Sequence, residues 1–169
     1  MNLLMSDRPL NVSLPAESRY VDLSGLKIAG CVGCFGCWVK TPGKCVIRDD
    51  ATAVYPLIAR SERLLYVTRL QYGSYAVPMK TMLERAIPIQ QAFIRLLDGE
   101  THHVQRAVRE KDAVILAYGD IPAEERAVFE RLVSRNAKNM LFCSHRIRYV
   151  SEEDLPQAVN EEVALWSVC

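Results

Sequence analysis

The sequence predicts an α/β domain built on a parallel sheet with helices over both faces. Two observations carry that reading. Short apolar runs alternate with longer segments of helical periodicity, the pattern of strand–helix–strand units whose crossovers cover a sheet. The run Ala113–Tyr118 (Ala-Val-Ile-Leu-Ala-Tyr), bounded by charge before it and Gly119-Asp120 after it, has the composition of a central strand. A chain of 169 residues makes a single domain, residues 1–169, long enough to bury a core. In such sheets ligands bind beyond the carboxyl ends of the strands.

Taken in order, Asn2–Met5 and Arg19–Leu23 read as short strands, the second leading through Leu26 and Ile28 into a cysteine loop. Asp49-Asp50 offers N-cap oxygens to a helix running to about Arg60, with Val54, Leu57 and Ile58 on its buried stripe. Pro56 inside it predicts a kink or a late start. Arg63–Leu70 has the composition of a buried strand; a glycine-bearing loop follows, then a helix from about Pro78 to Ala86. After the central strand, Pro122 opens a helix that turns Val128, Phe129, Leu132 and Val133 inward. Met140–Cys143 reads as the last strand. Ser151-Glu-Glu-Asp154 reads as the capping-box start of a terminal helix carrying Leu155, Val159, Val163 and Trp166.

Charges nearly cancel, 21 Lys and Arg against 20 Asp and Glu, which gives no electrostatic argument for nucleic acid or an anionic membrane surface. No apolar run approaches a membrane span, and Met-Asn-Leu-Leu-Met-Ser-Asp lacks the apolar stretch of a signal peptide. Six cysteines without an export signal point to a reducing cytoplasm, where a dense cluster reads as a ligand set before a disulfide framework.

Four of those cysteines, Cys31, Cys34, Cys37 and Cys45, fall in a C-x2-C-x2-C-x7-C pattern. The small residues Gly33 and Gly36 permit the tight curvature that turns consecutive thiolates toward one centre. A fourth sulfur returning after Pro42-Gly43 could close a four-thiolate site for zinc or for a cubane iron–sulfur cluster. The alternatives are a cluster of reduced thiols left from an older metal site, or a buried glycine-rich loop. Cys143 and Cys169 lie far from this cluster, and Cys143, in an apolar strand, reads as a small core residue. His102-His103 is a poor metal pair because neighbouring residues point apart; one of them is expected to be structural or at the edge of a ligand.

Four blocks together resemble a known family, the flavodoxin-like NAD(P)H-dependent FMN reductases, including the iron–sulfur flavoproteins. They are Cys31–Asp50, Tyr72-Gly73-Ser74, the stretch Met79–Arg85 with Pro88, and Gly99–Arg106. In the third, Glu84-Arg85 stands where that family more often has Asp-Arg. The resemblance implies a flavodoxin-like, doubly wound, three-layer sheet that holds FMN against Thr68–Ser74. There Thr68, Arg69, Tyr72, Gly73 and Ser74 would meet the ring, with Tyr118 and Gly119 as another wall. Arg69, where the family often has proline, could steady an anionic reduced flavin, although it reads first as a solvated or ion-paired side chain.

The start of the chain departs from the family. The flavin phosphate would be held on the loop after the first strand, where Ser6, Arg8 and Ser13 resemble its usual residues, while Asp7 would oppose an anion. Only Arg8–Glu17, ten residues with two prolines, leads to the second strand, and a helical crossover needs about a dozen or more. The first crossover helix is therefore expected to be missing or reduced. The apolar sheet surface this uncovers predicts a homodimer or larger. The resulting functional expectation is an FMN-dependent oxidoreductase passing electrons from NAD(P)H to a quinone, a flavin or another small acceptor. The alternatives are an FMN and iron–sulfur electron-transfer protein, or a non-catalytic flavodoxin-like binding subunit with a vestigial flavin site.

Overall fold

Five strands run parallel in the main sheet, in an order that fixes the topology. The computed structural model describes residues 1–167, so Cys169 lies outside it. The strands are β1 (Asn2–Ser6), β2 (Ser18–Asp22), β3 (Arg63–Gln71), β4 (Ser74–Tyr75), β5 (Gln90–Leu97), β6 (Glu100–Gln105), β7 (Lys111–Tyr118) and β8 (Phe142–Val150). The helices are α1 (Gly36–Val39), α2 (Ala51–Arg60), α3 (Val77–Glu84), α4 (Ala123–Met140) and α5 (Leu155–Ala164). The sheet order is β2-β1-β3-β7-β8, every neighbour parallel, with β4 turning back antiparallel on the end of β3. Numbering only the parallel strands gives 2-1-3-4-5, the flavodoxin-type winding. No helix among the described residues is long and apolar enough to cross a membrane.

The strict period of two in a strand divides the core. Leu3 and Met5 of β1, Leu64 and Tyr66 of β3, and Ala113 and Ile115 of β7 join one cluster with α2, α3 and α4. Leu4, Leu65, Val67, Leu116 and Tyr118 point the other way and pack with α5 through Leu155, Val159 and Val163. Both faces are buried, which is why these strands read as continuous apolar runs.

No helix forms between β1 and β2, as the short crossover predicts. Its expected consequence, a bare sheet surface, is corrected by the structure. Leu10, Val12 and Leu14 alternate along the extended segment and pack on the second face, where Leu4 and Leu65 are fully buried. An extended chain needs only three apolar side chains, one every second residue, to cover the strip beside α5. Tyr20 pins it, its hydroxyl accepting from Leu10 N–H at 2.8 Å. The argument for a homodimer from uncovered sheet falls with this.

Three other expectations are revised. The last strand begins at Phe142 and runs to Val150; its polar run Ser-His-Arg-Ile-Arg reads as loop because an edge strand shows one face to water. Cys143 on it is exposed, its Sγ 3.5 Å from Glu110 Oε2, and is no core residue. On α4 the buried positions are Phe129, Val133, Ala137 and Met140, while Val128 is half exposed. The hairpin β5–β6 and the short α1 went unread as structure.

Candidate functional site

The carboxyl ends of β1, β3 and β7 bring Ser6, Arg8, Thr68, Arg69, Tyr118 and Gly119 together. Asp7 organises them. Its Oδ2 accepts from Arg69 N–H at 2.6 Å and from the Thr68 hydroxyl at 3.2 Å, and its Oδ1 accepts from the Tyr118 hydroxyl at 2.8 Å. Burial, and then the Asp7 hydrogen bond, push the Tyr118 phenol up to about 12, so it stays a donor. Arg8 N–H donates to Ser6 Oγ at 3.3 Å. The Arg8 and Arg69 guanidinium groups lie 5.6 and 5.7 Å from the centre of the Tyr118 ring, and both pair with Glu152, which follows β8. Arg69 is thus ion-paired, as its sequence reading expected. Ser13 is exposed midway along the extended crossover, apart from this group.

Thr68–Ser74 is a hairpin rather than an open loop. Gln71 pairs with Ser74 across the two-residue turn Tyr72-Gly73, whose φ values of 53° and 68° are both left-handed. The Tyr72 ring is 94 % exposed, so it packs on nothing in the chain and stands available to a ligand. Gly73 faces inward. Its N–H donates to Glu125 Oε2 at 3.0 Å, and a Cβ there would sit 2.8 Å from Val128 Cβ and Cγ1 on α4. Gly73→Val is therefore expected to lower stability by about 2–3 kcal/mol through overpacking and left-handed strain. Urea unfolding measures it, and an unchanged midpoint would show that α4 yields to the added carbon.

The four clustered cysteines line one cavity, together with Phe35, Trp38, Ile47, Arg85, Ile87 and Pro88. Gly36 is needed here, since a Cβ would stand 2.6 Å from Val46 Cγ1. Burial raises the Cys37 thiol, and the neighbouring Cys45, Cys31 and Cys34 add to the shift, so the four sulfurs feel one another. Among the described residues no three Cys, His, Asp or Glu side chains converge as closely as a single metal ion requires.

Arg85, which the sequence reading placed only in a familiar helix, is the centre of this half of the site. It is 1 % exposed and forks onto Asp49 at 2.6 and 2.8 Å. The same guanidinium donates to Ala29 O at 2.7 Å and to Cys45 Sγ at 3.3 Å. Asp49 also accepts from Ala29 N–H and Ala51 N–H, and Asp50 from Lys27 N–H, so the aspartate pair clamps both ends of the cysteine loop. Burial works against both charges, yet the mutual hydrogen bonds win, leaving Asp49 below and Arg85 above their ordinary values. Buried Arg85 Nε has no acceptor, an opening in an otherwise satisfied network.

The histidine pair is structural. His102 is buried between Asn139 Oδ1 and Glu100, and the His103 ring lies 4.6 Å from Trp38, backing the cysteine cavity. The hairpin β5–β6 that carries them also accepts the Trp38 indole N–H through Gln90 O at 3.1 Å.

No protein-family model matches the sequence. A segment of 72 residues is 33% identical to an iron–sulfur flavoprotein of Archaeoglobus fulgidus, covering 43% of this chain and 32% of that protein. The match thus spans about a third of the relative's length. Three solved structures superpose along nearly the whole chain. Smu.1420 from Streptococcus mutans does so with a TM-score of 0.63 at 12% identity, over 97% of this chain and 96% of its own. An FMN-dependent NADH-azoreductase from Bacillus anthracis, in complex with FMN, follows at 0.58 and 10%, over 96% and 94%. An NADPH-quinone reductase from P. pentosaceus gives 0.55 and 13%, over 98% and 96%. The chain has the three-layer, flavodoxin-like fold of these structures, and the resemblance read in its motifs is borne out.

Proposed function

We propose that the chain is a flavin-dependent oxidoreductase that moves electrons from NAD(P)H to a quinone, a flavin or another small acceptor, with an iron–sulfur cluster on Cys31, Cys34, Cys37 and Cys45. The observation that carries it is the convergence of the four cysteines on one cavity in a flavodoxin-type fold. Four cysteines lining one cavity offer the thiolates that a multi-iron cluster requires.

The residues present fit such a group. Arg85 donates to Cys45 Sγ and keeps its Nε–H unspent, which offsets the negative charge of gathered thiolates. Phe35, Trp38, Ile47 and Ile87 supply apolar walls on one side of the cysteines. A cluster held there would exchange single electrons. The chain's own contribution is to gather the thiolates, to compensate their charge through Arg85, and to anchor the loop through Asp49 and Asp50. No helix follows β1, so the loop after the first strand offers no helix N-terminus to a flavin phosphate as the family pattern would.

Protein prepared without oxygen tests this reading. Expected are a broad visible shoulder, iron and sulfide in similar amounts, and NAD(P)H oxidation that depends on added flavin. A featureless spectrum with no NAD(P)H oxidation would leave the chain as a non-catalytic binding subunit.

A further inference from the structure

The strand-end site contains an anion of its own. Asp7 directly follows β1, and its carboxylate takes one main-chain N–H and two hydroxyls from the ends of β3 and β7. Charge-assisted donors of this kind, converging from separate strands, are what a bound anion requires. Here all three are spent on Asp7, which is only 9% exposed. The two nearby cations are already paired, since Arg8 and Arg69 share Glu152. A phosphate brought to this point would meet two carboxylates, at a crossover that supplies no helix dipole.

We propose that Asp7 is a specificity residue: its carboxylate fills the anion position at the strand ends, so that the flavin taken here is one without a terminal phosphate. The inference rests on the flavin reading above and narrows it. A neutral flavin needs no anion site, and the exposed Tyr72 ring after β3 remains available to it.

Fluorescence quenching of riboflavin and of FMN by the wild-type chain, Asp7→Ser and Asp7→Asn tests it. The wild type is expected to bind riboflavin roughly tenfold or more tightly than FMN. Asp7→Ser frees the three donors and should improve FMN binding by about tenfold or more, an effect that weakens with added salt, while riboflavin binding holds. Asp7→Asn, nearly isosteric, should shift the ratio in the same direction even if the serine variant folds poorly. A wild type that prefers FMN, or a ratio unmoved in both variants, overturns the proposal alone when NAD(P)H oxidation persists. Absence of quenching by every variant with both flavins overturns the flavin reading along with it.

Discussion

Arg85→Met is expected to strip the protein of iron and to lower its stability by about 3–5 kcal/mol, the cost of breaking a buried ion pair from one side. The guanidinium is 1% exposed, and Met fills its stem but leaves the Asp49 carboxylate facing the loop without its fork. Three further acceptors, Ala29 O, Ile47 O and Cys45 Sγ, lose their donor at once. These bonds join α3 to both ends of the cysteine loop, so the cavity should open as the pair breaks. Arg85→Lys keeps the charge and loses the planar fork; it should retain part of the stability but little of the iron. Iron per chain and urea midpoints decide the matter. A methionine variant with both quantities at wild-type levels would show that the loop is held by its apolar contacts alone.

Cys34→Ala separates the metal from the fold. Cys34 is exposed and lies outside the core clusters, so its truncation should change the unfolding midpoint little, within about 0.5 kcal/mol. Iron and sulfide should nevertheless fall to background, because three thiolates leave one corner of the site open to water. Cys143→Ala, on an exposed edge strand far from the cavity, is the matched control and should keep its iron. Equal iron in Cys34→Ala and wild type would move the metal elsewhere. Absence of iron from all three proteins would return the cysteines to reduced thiols, whose reactivity their exposure and pKa would then govern.

The parts of the fold legible in the sequence were those fixed by local pattern. β3 and β7 announce themselves because both their faces are buried, and α5 because the turn that leads into it is closed by a 3.0 Å bond from Asp154 N–H to Ser151 Oγ. The absence of the first crossover helix followed from chain length alone. The hairpin β5–β6 did not show: Phe93, Ile94 and Leu96 lie exposed on it, so no buried stripe marks the strand. The end of the last strand was lost for the same reason, its arginines pairing with Glu161 and Glu162 of α5 rather than alternating with apolar residues.

The candidate site divides along the same line. The cysteine spacing is a local property, and the sequence by itself determined that four thiolates could share a centre. Its glycines and the ten-residue crossover were equally local or countable, while the flavodoxin-type winding was implied only by the family resemblance. Only the tertiary structure decided what those features meet. Arg85 reaches Asp49 across 36 residues, Tyr118 reaches Asp7 across 111, and Glu152 reaches Arg8 across 144. Each joins the end of one element to another far along the chain, and burial makes each strong. An aspartate that reads in sequence only as an obstacle to phosphate proves to be the acceptor around which three strand ends are organised. Pairings of this kind depend on which strand ends the winding sets side by side, and no spacing along the chain encodes that.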